Sequence, residues 1–176
     1  MILAGEAVPK ISAELRARQP LPPLCPVAPW NRKLSHRIEA ADLPPAVASA
    51  LLLWNDDLDA SHTLSQGLPD PFGCWLHGTM HRREGDFSNS KYWFRKVGTH
   101  AGFAPLSRRA ATVLAQASGQ PSPALAALAE RWDPFAFVDL CAAATGENGA
   151  TAALLESLQA AELELLTELA AERLPG

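Results

Sequence analysis

The chain has no run approaching the ~20 consecutive apolar residues needed to span a bilayer, so nothing in it reads as a membrane helix. Cysteine is scarce: Cys25, Cys74 and Cys141 are widely spaced and form no CxxC, which indicates neither a disulfide framework nor a thiolate zinc site. The opening residues, MILAGEAVPKISAELRARQP, lack a basic region followed by an unbroken apolar stretch, so no secretory signal is read and a reducing cytoplasm is the expected location. No segment alternates in the manner of a strand, and no internal repeat is visible. Excess positive charge is also missing. The formal net charge of −4 offers nucleic acid no global attraction, and no nucleic-acid module is recognisable.

What is present belongs to a folded protein. With 48% hydrophobic and 19% charged residues the chain has enough apolar matter for a core, and 176 residues suit one core rather than two. The expected fold is all-α, a compact single-domain bundle of six or seven helices. Residues 1–41 read as a short helix around Ile11 to Ala17 and a proline-rich wrapping arm. Pro20, Pro22, Pro23, Pro26 and Pro29 fix φ and remove amide donors there, which holds the backbone extended. Residues 42–176 form the helical domain.

Within that domain, Asp42 ahead of Pro44 and Pro45 predicts a capped helix start. Val47, Leu51, Trp54, Leu58, His62 and Ser65 then recur at steps of three and four, as one continuous helix would place them. Further helices are expected over Pro71–Arg83, closed by Gly85, and over Asn89–Val97, capped by Asp86 or Ser88 and closed by Gly98. Others follow from Pro105 to Ala117, from the PSP at 121–123 to Trp132, from Pro134 through PFAFVDLCAAA, and from about Gly149 to Arg173. On the last of these Leu155, Leu158, Glu162, Leu165 and Leu169 share a stripe, so Glu162, with Gln159 beside it, interrupts an apolar face and needs a partner.

Charge is unevenly distributed. Residues 82–109 carry Arg82, Arg83, Lys91, Arg95, Lys96, Arg108 and Arg109 against Glu84 and Asp86, whereas the tail from Glu147 has six glutamates and only Arg173. The basic middle is expected to fold against the acidic end or to face an anion.

Chemistry concentrates between Trp54 and His100, where four of the five histidines fall. His77 and His81 stand one helical turn apart, the HxxxH spacing of helical zinc and iron sites, and His62, Glu84 or Glu162 would complete a ligand set. The metal reading takes His62, His77 and His81 as ligands of a divalent zinc or iron. Gly78 stands where the helical metalloprotease motif has glutamate, so that motif is absent. In an acid/base reading His77 and His81 act with Glu84 or Asp86 holding one tautomer. An anion reading uses Arg82, Arg83, Arg95 and Lys96 to hold phosphate or carboxylate, with Trp75, Tyr92 and Trp93 stacking on a ring and Gln66, Asn89 and Glu162 completing the pocket. The expected partner is then a small anionic molecule. Cys74 is a conceivable nucleophile, with nothing in the sequence to depress its pKa. Against all of these stands a non-catalytic alternative, in which the HRREGD segment is a buried polar network of a structural or partner-binding protein.

The segments SHTLSQ (61–66) and HGTMHRREGDFSNSKYWFRKVGTH (77–100) resemble a family of uncharacterised bacterial and fungal proteins with the pattern SHxxxQ followed by HxxxHRxEGDxxNxxYWxxxVGxH. Ser90 stands where that pattern favours alanine. The resemblance implies that His62, Gln66, His77, His81, Arg82, Glu84, Asp86, Asn89, Tyr92, Trp93 and His100 belong to one constellation, and it carries no activity with it.

Overall fold

A computed structural model describes residues 4–146 and 149–174. Among them the chain forms ten helices and no strand: α1 (Ala4–Arg16), α2 (Arg32–Glu39), α3 (Pro45–Trp54), α4 (Leu58–Ser65), α5 (Pro71–Glu84), α6 (Phe87–Val97), α7 (Phe103–Gln116), α8 (Pro123–Glu130), α9 (Pro134–Ala144) and α10 (Ala150–Ala171). The all-α expectation holds and the count of six or seven does not. Glu147, counted above in the acidic tail, lies outside the described residues.

Two features raise the count. One is α2, inside the segment read as an arm. Asn31 caps it, its side chain accepting from the Leu34 amide at 3.1 Å, and Leu34 and Ile38 are buried. The other is a break in the stripe from Val47 to Ser65, expected as one helix. The run Asn55-Asp56-Asp57 interrupts it: Asp56 is left-handed at φ 64°, and Asp57 starts α4 by accepting from the Ala60 amide. Asp42 also departs from expectation. It is left-handed at φ 47°, and the position before α3 is Pro44, which offers no side-chain cap.

Helix α5 is the centre of the molecule. It is buried on every side from Phe72 to Arg83, as only an interior helix can be. Asp70 caps its start and Gly85, at φ 87°, closes it in the left-handed conformation that glycine adopts without steric cost. One residue later Asp86 caps α6, so α5 and α6 fold back on each other as a hairpin. The approach is close at Gly78, where a Cβ would stand 3.2 Å from the ring of Phe94. Ser90 ties the pair by donating to the Gly78 carbonyl at 2.7 Å.

The long α10 packs across α3, α7 and α9 and supplies Leu155, Leu158, Leu165 and Leu166 to the core. Residues 18–31 carry no helix and run over the body as an arm, pinned by the Trp30 amide to the Asn55 carbonyl at 2.9 Å. No described helix is long and apolar enough to cross a membrane.

Candidate functional site

Because α5 is buried all round, each polar residue on it must find a partner. The polar residues divide between two separate sides. On the inner side, Arg82 is 1% exposed and donates to Glu162 of α10 at 2.5 Å and to Gln159 at 3.5 Å. Glu162 also accepts from the Trp75 indole at 2.9 Å and lies 3.5 Å from the Thr79 hydroxyl. Burial alone lowers the pKa of Arg82, and the adjoining carboxylate more than offsets it, so the net shift is upward. The guanidinium also stacks over the Phe137 ring at 4.5 Å.

Arg83, also fully buried, donates to Asp56 at 2.5 Å and to the carbonyls of Leu53 and Pro23. Asp56 receives a second cation, Arg18, at 2.7 Å. Burial lowers the pKa of Arg83, with Asp56 opposing. The arm completes the network: Gln159 donates to the carbonyls of Pro22 and Pro23 at 3.2 and 2.9 Å.

The other side of α5 carries the histidines. His62 of α4 faces His77 and His81, with ring centroids 4.8 and 5.2 Å away, and the two α5 rings stack on each other at 4.7 Å. Ligand-capable atoms of the three lie within 4.8 Å of one another. His77 is 3% exposed and stacks on Trp93 of α6, centroids 3.9 Å apart and planes 17° apart. Its Nδ1 is buried without a hydrogen-bond partner. Burial, reinforced by the charges of His81, His62 and Lys96, brings its pKa down to about 3, so the imidazole is neutral at ordinary pH.

His81 has the Oε1 of Glu84 at 2.6 Å from its Nδ1. The amide nitrogen of Asn89 lies 3.0 Å from Nε2 and 3.3 Å from Nδ1. A donor almost equidistant from both ring nitrogens sits over the face of the ring, so the in-plane lone pair of the second nitrogen is left unspent. Glu84 also lines a cleft of about 240 Å³ together with Pro26, Pro29, Leu58 and Asp59.

The residues expected to share one constellation therefore separate. His62, His77, His81, Glu84, Asn89 and Trp93 come together. Arg82 and Glu162, expected in ligand-binding roles, are spent on each other in a sealed interior and have no access to a ligand. Asp86 is exposed and caps α6, accepting from the Asn89 amide at 3.0 Å. Tyr92 is 45% exposed, and its ring lies under Lys96 at 4.7 Å. Arg95 is exposed, and Gln66 is an exposed C-cap of α4 whose side-chain amide faces the Thr63 carbonyl. His100 is apart from the cluster: it packs edge-on to Trp75 and accepts from the Gly102 amide at 3.0 Å. Cys74 is buried, and burial raises its pKa, so no thiolate is prepared there.

Lys96 was expected among the anion-holding cations, whereas Asp56 was not singled out from the sequence. The Lys96 ammonium stands 4.3 Å over the Trp93 ring, on which His77 also stacks. Asp56 falls within the stretch from Val47 to Ser65 that was expected as one continuous helix. Its signal was the Asn-Asp-Asp run, which marks a turn more readily than a helix interior.

No family model, curated protein or solved structure matches the chain.

Proposed function

We propose that the protein binds a divalent transition metal, zinc or iron, through His62, His77 and His81, and that this centre takes a small anionic molecule as its ligand or substrate. The observation that carries the reading is the convergence of three imidazoles from two helices, one of them with a buried, unpartnered Nδ1. Neutral imidazole is the ligating form, and His77 is held neutral. Tetrahedral ligand nitrogens about 2.0–2.1 Å from zinc stand roughly 3.3–3.4 Å apart, a spacing inside the 4.8 Å limit that the three imidazoles keep. Three protein ligands leave a position open, which is the arrangement of catalytic rather than structural centres. With Arg82 committed to Glu162, Lys96, whose ammonium lies over the Trp93 ring on which His77 stacks, is the cation proposed for an anion on that open position.

Metal analysis of untagged protein, with Co²⁺ titration followed by visible absorption, tests the proposal. One equivalent is expected for the native chain and none for His77→Ala or His62→Ala; a native chain that takes up no metal would sink it. For the anion, thermal-shift screening of phosphate and small carboxylates on the metal-loaded protein is expected to give stabilisation that Lys96→Ala removes.

The buried Arg82–Glu162 pair favours a second reading, in which the HRREGD segment is a purely structural network in a non-catalytic protein. The two readings divide on the histidines. In the second, their alanine variants change stability and nothing else.

A further inference from the structure

We infer that Glu84 is a positioning residue for the histidine centre: it holds the proton of His81 on Nδ1, so that Nε2 is the nitrogen presented to a metal. The inference rests on the metal reading above and adds a residue that touches the metal through nothing but His81.

Glu84 Oε1 lies 2.6 Å from His81 Nδ1, close enough for a short hydrogen bond, and a carboxylate only accepts. Nδ1 is therefore the donor, and the lone pair of neutral His81 is on Nε2. Asn89 does not compete for it, because its amide stands over the ring face. The two residues are three apart on the last turn of α5, so the helix itself sets their separation. Gly85 ends the helix one residue later, and the side chain of Glu84 is 39% exposed where its neighbours on α5 are buried. It is thus fixed at one oxygen by His81 and remains reachable from the cleft beside Pro26 and Asp59. His77, whose Nδ1 has no such partner, is oriented instead by its stack on Trp93. The two α5 histidines are set by different devices, and only that of His81 is a hydrogen bond from the ring to a carboxylate. Such outer partners typically change metal affinity 10–100-fold.

Two measurements on the full chain decide the matter. In metal-free, ¹⁵N-histidine-labelled protein, His81 is expected as the Nδ1–H tautomer; Glu84→Ala should release it to a mixture, and Glu84→Gln, which keeps an acceptor oxygen, should restore it. In Co²⁺ titrations Glu84→Ala is expected to bind about 10–100-fold more weakly, with Glu84→Gln recovering most of that loss. An Nε2–H tautomer in the native chain, or a Glu84→Ala variant unchanged in tautomer and affinity, overturns the inference. Failure of the native chain to take up cobalt overturns the metal reading instead, and the tautomer measurement, which needs no metal, still decides whether Glu84 governs His81.

Discussion

Arg82 and Arg83 are adjacent on α5 yet answer to different carboxylates, Glu162 of α10 and Asp56 of the α3–α4 turn. Each pair is dry, so the attraction within it is weighed against the cost of removing both ions from water, and losing one partner leaves the other charged and stranded. Glu162→Ala is expected to lower the unfolding free energy by about 3–5 kcal/mol, a large share of what a domain of this size holds. Urea denaturation checks it, and replacing Arg82 and Glu162 together by apolar residues should cost less than the single change. His77 supplies a pH dependence of definite sign. The folded protein keeps it unprotonated down to about pH 3, whereas the unfolded chain takes a proton near the ordinary 6.5. Between those values the unfolded state binds more protons, so this contribution is fully present above 6.5 and is lost as the pH falls toward 3. His100, also lowered by burial, acts in the same direction. Urea midpoints measured from pH 7 to pH 4 should fall, and His77→Gln should flatten the fall. At this scale Glu162 was legible from sequence, because a lone carboxylate in a leucine stripe demands a cation. The identity of that cation was not, since seven basic residues between 82 and 109 were equal candidates until the helices were placed.

Helix ends explain how the histidines meet. His62 reaches the α5 pair because α4 begins afresh at Asp57 instead of continuing α3, and that turn is knit to α2 by Ser35, which donates to Asp57 at 2.5 Å and accepts from Asn55 at 2.9 Å. Asp57→Ala removes the α4 cap and is expected to cost about 1 kcal/mol, measurable by urea denaturation. It should also weaken Co²⁺ binding more than a distant cap change such as Ser122→Ala, which removes the cap of α8. At the start of α5, Gly73 packs directly on the backbone of Leu68, so an added Cβ has no room. Gly73→Ala is expected to destabilise despite the higher helix propensity of alanine, with a lowered melting temperature as the readout. The strongly punctuated helices, α5, α6 and α9, were readable because Asp-Pro, Gly and Asp mark their ends in the sequence. The α3–α4 break was hidden, because Leu58, His62 and Ser65 stay in phase with Val47 and Leu51 across it, and periodicity alone does not see a left-handed residue.

Across the whole molecule, the basic middle and the acidic end do meet. Arg82 pairs with Glu162, Arg109 with Glu164 and Glu168, and Arg16 of α1 with Glu164. The arm seals the inner network, its prolines leaving carbonyls that Arg83 and Gln159 use as acceptors. Removing residues 1–30 strips Arg18 from Asp56 and those carbonyls from their donors. Loss of the near-ultraviolet circular dichroism signal, with helical content partly retained, is the expected outcome. The extended arm was readable from its prolines, but its role as a hydrogen-bond acceptor was not, because that depends on residues more than 50 positions away in the chain. One consequence of the two-sided α5 concerns chain length. Each inserted or deleted residue turns everything beyond it by roughly 100°, which would carry a guanidinium into the place of an imidazole. Between His77 and Glu84 this protein can drift by substitution, but it cannot change by a single residue in length without exchanging its interior for its site.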